Sequence, residues 1–159
     1  ALSYPNRLDK IVLMAPAATI VPLGLGFMKS ALLALIPHRH YVKKAMTYIL
    51  EDLANKGESG RSEVEFVAEN AFLGLRCFKP KMLVNPTVLT DGELQDFKVP
   101  TLFLIGENEK IYSFEDAVLR LKNMAPHIKV EVIPNAGHDL TIVQAEMVNR
   151  LILNFLNGQ

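Results

Sequence analysis

One cysteine, Cys77, occurs in 159 residues, which excludes an internal disulfide and fits a reducing compartment. Charge of either sign is not in excess: Lys+Arg and Asp+Glu both number 17, so no net field favours nucleic acid or an anionic membrane. No apolar run approaches the roughly 18–20 residues a membrane span requires. The most apolar region, TIVPLGLGFMKSALLALIP, is interrupted by Pro22, Gly24, Gly26 and Lys29. Internal repeats and low-complexity tracts are missing too. The opening ALSYPNRLDKIVLMAP lacks the charged start and small-residue cleavage site of a secretory signal. It has no initiator Met and reads as the tail of a helix feeding a strand, so a longer parent chain and a cytoplasmic location are expected.

What the chain has in quantity is apolar residues, half of the total, with a mean hydropathy of +0.18. Three short runs, KIVLMA (10–15), TLFLIG (101–106) and VEVIP (130–134), are rich in Val, Ile and Leu and bounded by Pro, Gly or Asn. That is the pattern of parallel strands buried on both faces. Between the last two, Ser113 and Asp116 form a capping box, and Phe114, Val118, Leu121 and Met124 keep a helical spacing. After the third run, Thr141 and Gln144 make a second such start to an amphipathic helix over 141–156. The result is a βαβ unit, whose crossover is right-handed almost without exception.

Residues 24–79 differ. LGFMKSALLALI, HYVKKAMTYILEDLANK and SEVEFVAENAFLGLRCF predict three helices separated by PHR and GESGR, a helical insertion between the first and second strands. Residues 79–100 return as a loop or short turn, with Pro80, Pro86 and Pro100 stopping regular structure. Cys77 is expected as a small buried residue on the third helix.

In a parallel sheet the loops leaving the carboxyl ends of the strands share one edge, where ligands bind. TLFLIG exits into GENEKIY and VEVIP into NAGHDL, so Glu109 and His138 meet on that edge despite 29 residues between them. With neighbouring strands about 4.8 Å apart, a carboxylate on one loop can hold one ring nitrogen of a histidine on the next. The other nitrogen is then left to take a proton from a nucleophile. The Asn-Ala-Gly corner is expected to turn the backbone sharply enough to aim the ring. Glu107 is the rival acid but is expected to face solvent. Asp139 is expected to start the following helix, where a carboxylate suits the positive end of the dipole. Asp91 and Glu93 read as solvated turn and helix-start residues. His38 and His40 lack a third ligand at metal spacing and read as a solvated connector.

PNRLDKIVLMAP, VPTLFLIGENEKIY and VEVIPNAGHDLTIVQAEMVNRLILNFL resemble the carboxyl-terminal half of α/β-hydrolases, closest to carboxylesterase-like bacterial members. The resemblance covers about 1–20 and 86–159; the middle matches only as the variable helical cap. It implies an α/β core at 1–23 and 80–159, three parallel strands with flanking helices, and a cap at 24–79. It implies Glu109 as triad acid, although Asp is commoner there, and His138 as base. The nucleophilic serine on its G-x-S-x-G elbow and both oxyanion donors are expected upstream of Ala1. GESGR (57–61) is a decoy: it lacks the second glycine at the fifth position and sits between two helices. Ser59 therefore reads as a linker serine, and Ser3, Ser30, Ser62 and Ser113 have no elbow.

The family's nucleophile strand pairs with the one matching KIVLMA. Either upstream sequence or self-association of a second copy is expected to cover that apolar sheet edge. The implied activity is hydrolysis of a small carboxylic ester with no metal or organic cofactor, inactive in this chain alone. Peptide, C–C or carbon–halogen hydrolysis and a non-catalytic binding module are the alternatives. Phe27, Met28, Leu32, Leu33, Tyr48 and Phe72 are candidates for an acyl pocket, against ordinary helix packing.

Overall fold

A computed structural model describes residues 2–78 and 87–158. The return segment 79–86, with Pro80 and Pro86, and the expected 79/80 domain boundary lie outside the described residues.

The three apolar runs form strands β1 (Ile11–Met14), β2 (Thr101–Gly106) and β3 (Lys129–Ile133), each within a residue or so of its expected bounds. All are parallel, in the order β1-β2-β3, with Leu13 opposite Phe103 and Leu104 opposite Glu131. Successive side chains of a strand point to opposite faces of its sheet, so β2 feeds two cores. Phe103 and Ile105 enter one with Ile20, Leu94 and Leu121, while Leu102 and Leu104 enter the other with Leu140 and Val148. Both faces are closed over β2 alone. No residue of β1 is fully buried and its Met14 is 46 % exposed, while on β3 only Ile133 is buried and Val132 is 40 % exposed. The expected burial on both faces is thus corrected for the two outer strands, each of which has one neighbour instead of two among the described residues.

The insertion comprises α1 (Leu25–Ala34), α2 (Arg39–Ile49), α3 (Glu51–Ala54) and α4 (Gly57–Cys77). After it come α5 (Asp91–Gln95) and α6 (Phe114–Met124), then α7 (Leu140–Val143) and α8 (Ala145–Asn157). Helix α6 covers the first face through Ala117 and Leu121; α7 and α8 cover the second. Leu53 of α3 and Val64 of α4 join that second core, so the insertion packs directly onto the sheet's own cluster.

Several local expectations are corrected. The predicted second helix breaks at Leu50 into α2 and α3. GESGR is no linker but the first turns of α4: Gly57, at φ +87°, makes the corner, and Gly60 lies so close under α3 that a Cβ there would stand 1.9 Å from the Leu53 carbonyl oxygen. Ser59 is thus a helix residue. The expected 141–156 helix is interrupted at Gln144, whose side-chain amide donates to the Pro134 carbonyl at 3.0 Å, and the exposed Thr141 caps nothing. Ser113 accepts from the Asp116 N–H at 3.1 Å but its hydroxyl turns to Glu115, which leaves half a box. The complete capping box is between Thr90 and Glu93 on α5. Cys77 does end the third helix, but exposed. No helix among the described residues is long and apolar enough to cross a membrane.

Candidate active site

The exit loops of β2 and β3 are joined backbone to backbone. Glu107 N–H donates to the Ile133 carbonyl and Asn108 N–H to that of Ala136, each at 3.0 Å. Gly106 permits this approach, since a Cβ there would come within 2.1 Å of the Ala136 oxygen. The sharp turn of NAGH is made at Asn135 (φ 52°), not at the glycine. Gly137 serves proximity instead: its missing Cβ would stand 3.0 Å from the Asn108 carbonyl oxygen. Glu107 is exposed, as expected, but not idle; its carboxylate accepts from the Asn135 N–H at 2.9 Å and braces that turn.

On this platform Glu109 Oε2 lies 3.0 Å from His138 Nδ1. The Glu109 side chain is fully buried, whereas the imidazole is 30 % exposed. The second carboxylate oxygen, Oε1, accepts from the backbone N–H groups of Lys110 (2.9 Å) and Ile111 (2.8 Å). Three donors thus fix the carboxylate in position, and buried charge requires such satisfaction. With Glu109 as acceptor the ring proton sits on Nδ1. Nε2 then has no partner among the described residues and is the ring's proton-accepting atom.

Two neighbours had no clear sequence signal. Asp139 holds the N-cap position of α7 but does not cap it. It is buried, with Oδ2 accepting from the Leu53 N–H at 2.7 Å and Oδ1 from the Gly137 N–H at 3.2 Å. Tyr112 is buried behind Glu109, and its hydroxyl has no partner among the described residues. Burial, followed by the charge of Glu109, pushes the phenol well above its ordinary range.

Of the other candidates, Tyr48 reaches the acid loop, its hydroxyl donating to the Lys110 carbonyl at 3.4 Å. His38 and His40 are exposed; His38 caps α2 by accepting from the His40 N–H, and no group of three His, Cys, Asp or Glu stands at metal-holding spacing among the described residues. Phe27, Met28 and Leu32 line an open apolar trough of about 540 Å³ on α1, joined by Leu23, Leu25 and Leu35. Leu33 and Tyr48 are not on it, and Phe72 is buried in α4.

No protein-family model matches the chain. It is 30% identical over 165 residues to an uncharacterized carboxylesterase (nap) of Bacillus subtilis strain 168, covering 99% of this chain and 52% of that protein. It is 29% identical to a 2-hydroxy-6-oxononadienedioate/2-hydroxy-6-oxononatrienedioate hydrolase of Pseudomonas putida, over 98% of this chain and 57% of the relative. Among solved structures, naproxen esterase (carboxylesterase NP) from Bacillus subtilis superposes with a TM-score of 0.79 at 31% identity, over 98% of this chain and 53% of that one. The chain therefore spans about half the length of the relatives it matches.

Proposed function

We propose, from the premise that this chain has the α/β-hydrolase fold, that it supplies the acid and the base of a serine hydrolase acting on small carboxylic esters. The observation that carries the reading is the 3.0 Å contact between Glu109 Oε2 and His138 Nδ1, with the other carboxylate oxygen held by two amides. That arrangement fixes one tautomer and leaves Nε2 to work. A serine supplied by the remainder of the polypeptide attacks the ester carbonyl carbon while its hydroxyl proton passes to His138 Nε2. The imidazolium, held by the Glu109 carboxylate, returns that proton to the leaving alcohol oxygen as the C–O bond breaks. Water then attacks the acyl carbon as His138 takes its proton; the acyl–serine bond breaks, the proton passes to the serine oxygen and the carboxylic acid leaves.

The esterase relatives support the ester substrate. The dienedioate hydrolase relative favours a second reading, hydrolysis of a C–C bond by the same pair. Residues 24–79 belong to the reading as a cap over the site, and the chain's single cysteine supports a cytoplasmic setting. The test is His138→Ala in the complete polypeptide, assayed with p-nitrophenyl acetate. Loss of at least about 1,000-fold in kcat is expected for removal of a triad base; activity within tenfold of wild type would sink the assignment.

A further inference from the structure

Three consecutive residues of α3 reach the residues that flank the acid and the base. The Glu51 carboxylate pairs with Lys110 Nζ, immediately after Glu109. Asp52 Oδ1 accepts from Asn108 Nδ2 at 3.0 Å, immediately before Glu109. The Leu53 N–H donates to Asp139 Oδ2 at 2.7 Å, immediately after His138. Residues on both sides of Glu109 are thus tied to α3, as is the residue after His138, whose other carboxylate oxygen holds Gly137 on the far side.

Helix α3 has no side-chain cap of its own, because its N-cap residue is Leu50. Leu53 is its third residue, the position whose free N–H a capping side chain normally takes. Asp139, 86 residues on, performs that capping from the base loop. The cost of holding this juncture together is visible in Asp52. Its carboxyl is pushed up by burial, against the Asn108 bond, with the nearby Asp139 and Glu51 adding to the rise and Lys110 opposing it.

We infer that Asp139 and Asp52 are positioning residues that bracket the acid and base loops onto α3, so that the helical insertion sets the orientation of the Glu109–His138 pair. This rests on the proposed function for its catalytic consequence, though not for its geometry. The coupling is physical: buried Leu53 and Val64 anchor α3 and α4 in the sheet's second core, and the bracket transmits that placement to the two loops.

The test uses the complete polypeptide with Asp139→Ala, Asp139→Asn, Asp52→Ala and Glu109→Gln, read in two ways. The first is the NMR resonance of the His138 Nδ1 proton and its exchange with water, which needs no turnover. Both alanine variants should speed that exchange about tenfold or more, toward the Glu109→Gln limit. Asn at 139 keeps an acceptor for Leu53 but turns an NH2 donor toward the Gly137 N–H, so it should restore only part of the protection. The second is p-nitrophenyl acetate turnover, where the alanine variants should lower kcat by about 10- to 100-fold with KM within about threefold, as expected of misorientation. Folded alanine variants with unchanged proton exchange overturn the bracket, even where His138→Ala abolishes turnover and the hydrolase reading survives. Conversely, accelerated exchange in a polypeptide without ester turnover upholds the bracket while the hydrolase reading falls. If Asp139→Ala does not fold, the half-buried Asp52→Ala decides alone.

Discussion

Strand β2 and helix α1 are built from similar material, TLFLIG and LGFMKSALLA, and end in opposite environments. Every residue of β2 is buried, with Leu102, Phe103, Leu104 and Ile105 at 0 % exposure. No residue of α1 is buried; Leu25 is 75 % exposed and Leu32 69 %. The strand lies between two strands and between two helical layers, so either direction in which a side chain points is already occupied. The apolar residues of α1 run around most of its circumference, and α2 packs against one side. A helix apolar all round normally belongs inside something larger. Apolar composition thus states that cover is needed, and topology decides whether the same chain provides it.

The sharpest way to break this contrast is at the centre of β2. Leu104→Ala removes a fully buried side chain from the second core, where Ile133, Leu140 and Val148 close around it. Urea unfolding should show a loss of about 2–5 kcal/mol, the range for a core Leu→Ala with a residual cavity. A loss below about 1 kcal/mol would mean that the sheet's second face is loosely covered, and the distinction from α1 would largely disappear.

Helix α4 offers an internal version of the same contrast at two glycines. A Cβ on Gly60 would collide with the Leu53 backbone, whereas one on Gly74 would meet nothing within 4 Å. Gly60→Ala should therefore cost about 1–3 kcal/mol by forcing α3 and α4 apart. Gly74→Ala should raise stability by about 0.5–1 kcal/mol through helix propensity alone. Thermal melts of the two variants should move in opposite directions; an unchanged or raised melting temperature for Gly60→Ala would refute the close packing of α3 on α4.

These sites also mark the limit of what sequence reveals. The strands are legible from short apolar runs bounded by Pro, Gly or Asn, although only β2 has the burial on both faces that such runs suggest. The meeting of Glu109 and His138 is legible because strand exits share one edge. Each depends on side-chain type and order. The structure adds contacts that depend on backbone atoms, which leave no trace in residue identity. The Leu53 N–H that selects Asp139 would be the same N–H on any residue but proline. Gly60 resembles a linker glycine until α3 is placed above it, and GESGR accordingly reads as a break. The cut at Gln144 coincides with its side-chain bond to the Pro134 carbonyl, while apolar residues recur every four positions there, at Val143, Met147, Leu151 and Phe155, without a break. Tyr112 gives no signal because an orphaned hydroxyl is a property of its surroundings.

The smallest expected effect lies on α1 and bears most on the contrast with β2. Leu32→Ser replaces a side chain on the trough that is 69 % exposed, so it loses little packing and only a little helix propensity. In the 159-residue chain, unfolding should change by no more than about 0.5 kcal/mol, as for ordinary surface substitutions. The same change in the complete polypeptide is the informative partner measurement. A cost that grows to about 2 kcal/mol there would mean that the rest of the protein buries this helix, the usual worth of covering a leucine. Equal, small costs in both contexts would mean that α1 stays open to solvent, and its trough would then be a surface available to an apolar ligand. In either case the helix differs from β2 by its neighbours and not by its residues, and measuring the difference between the two contexts weighs those neighbours directly.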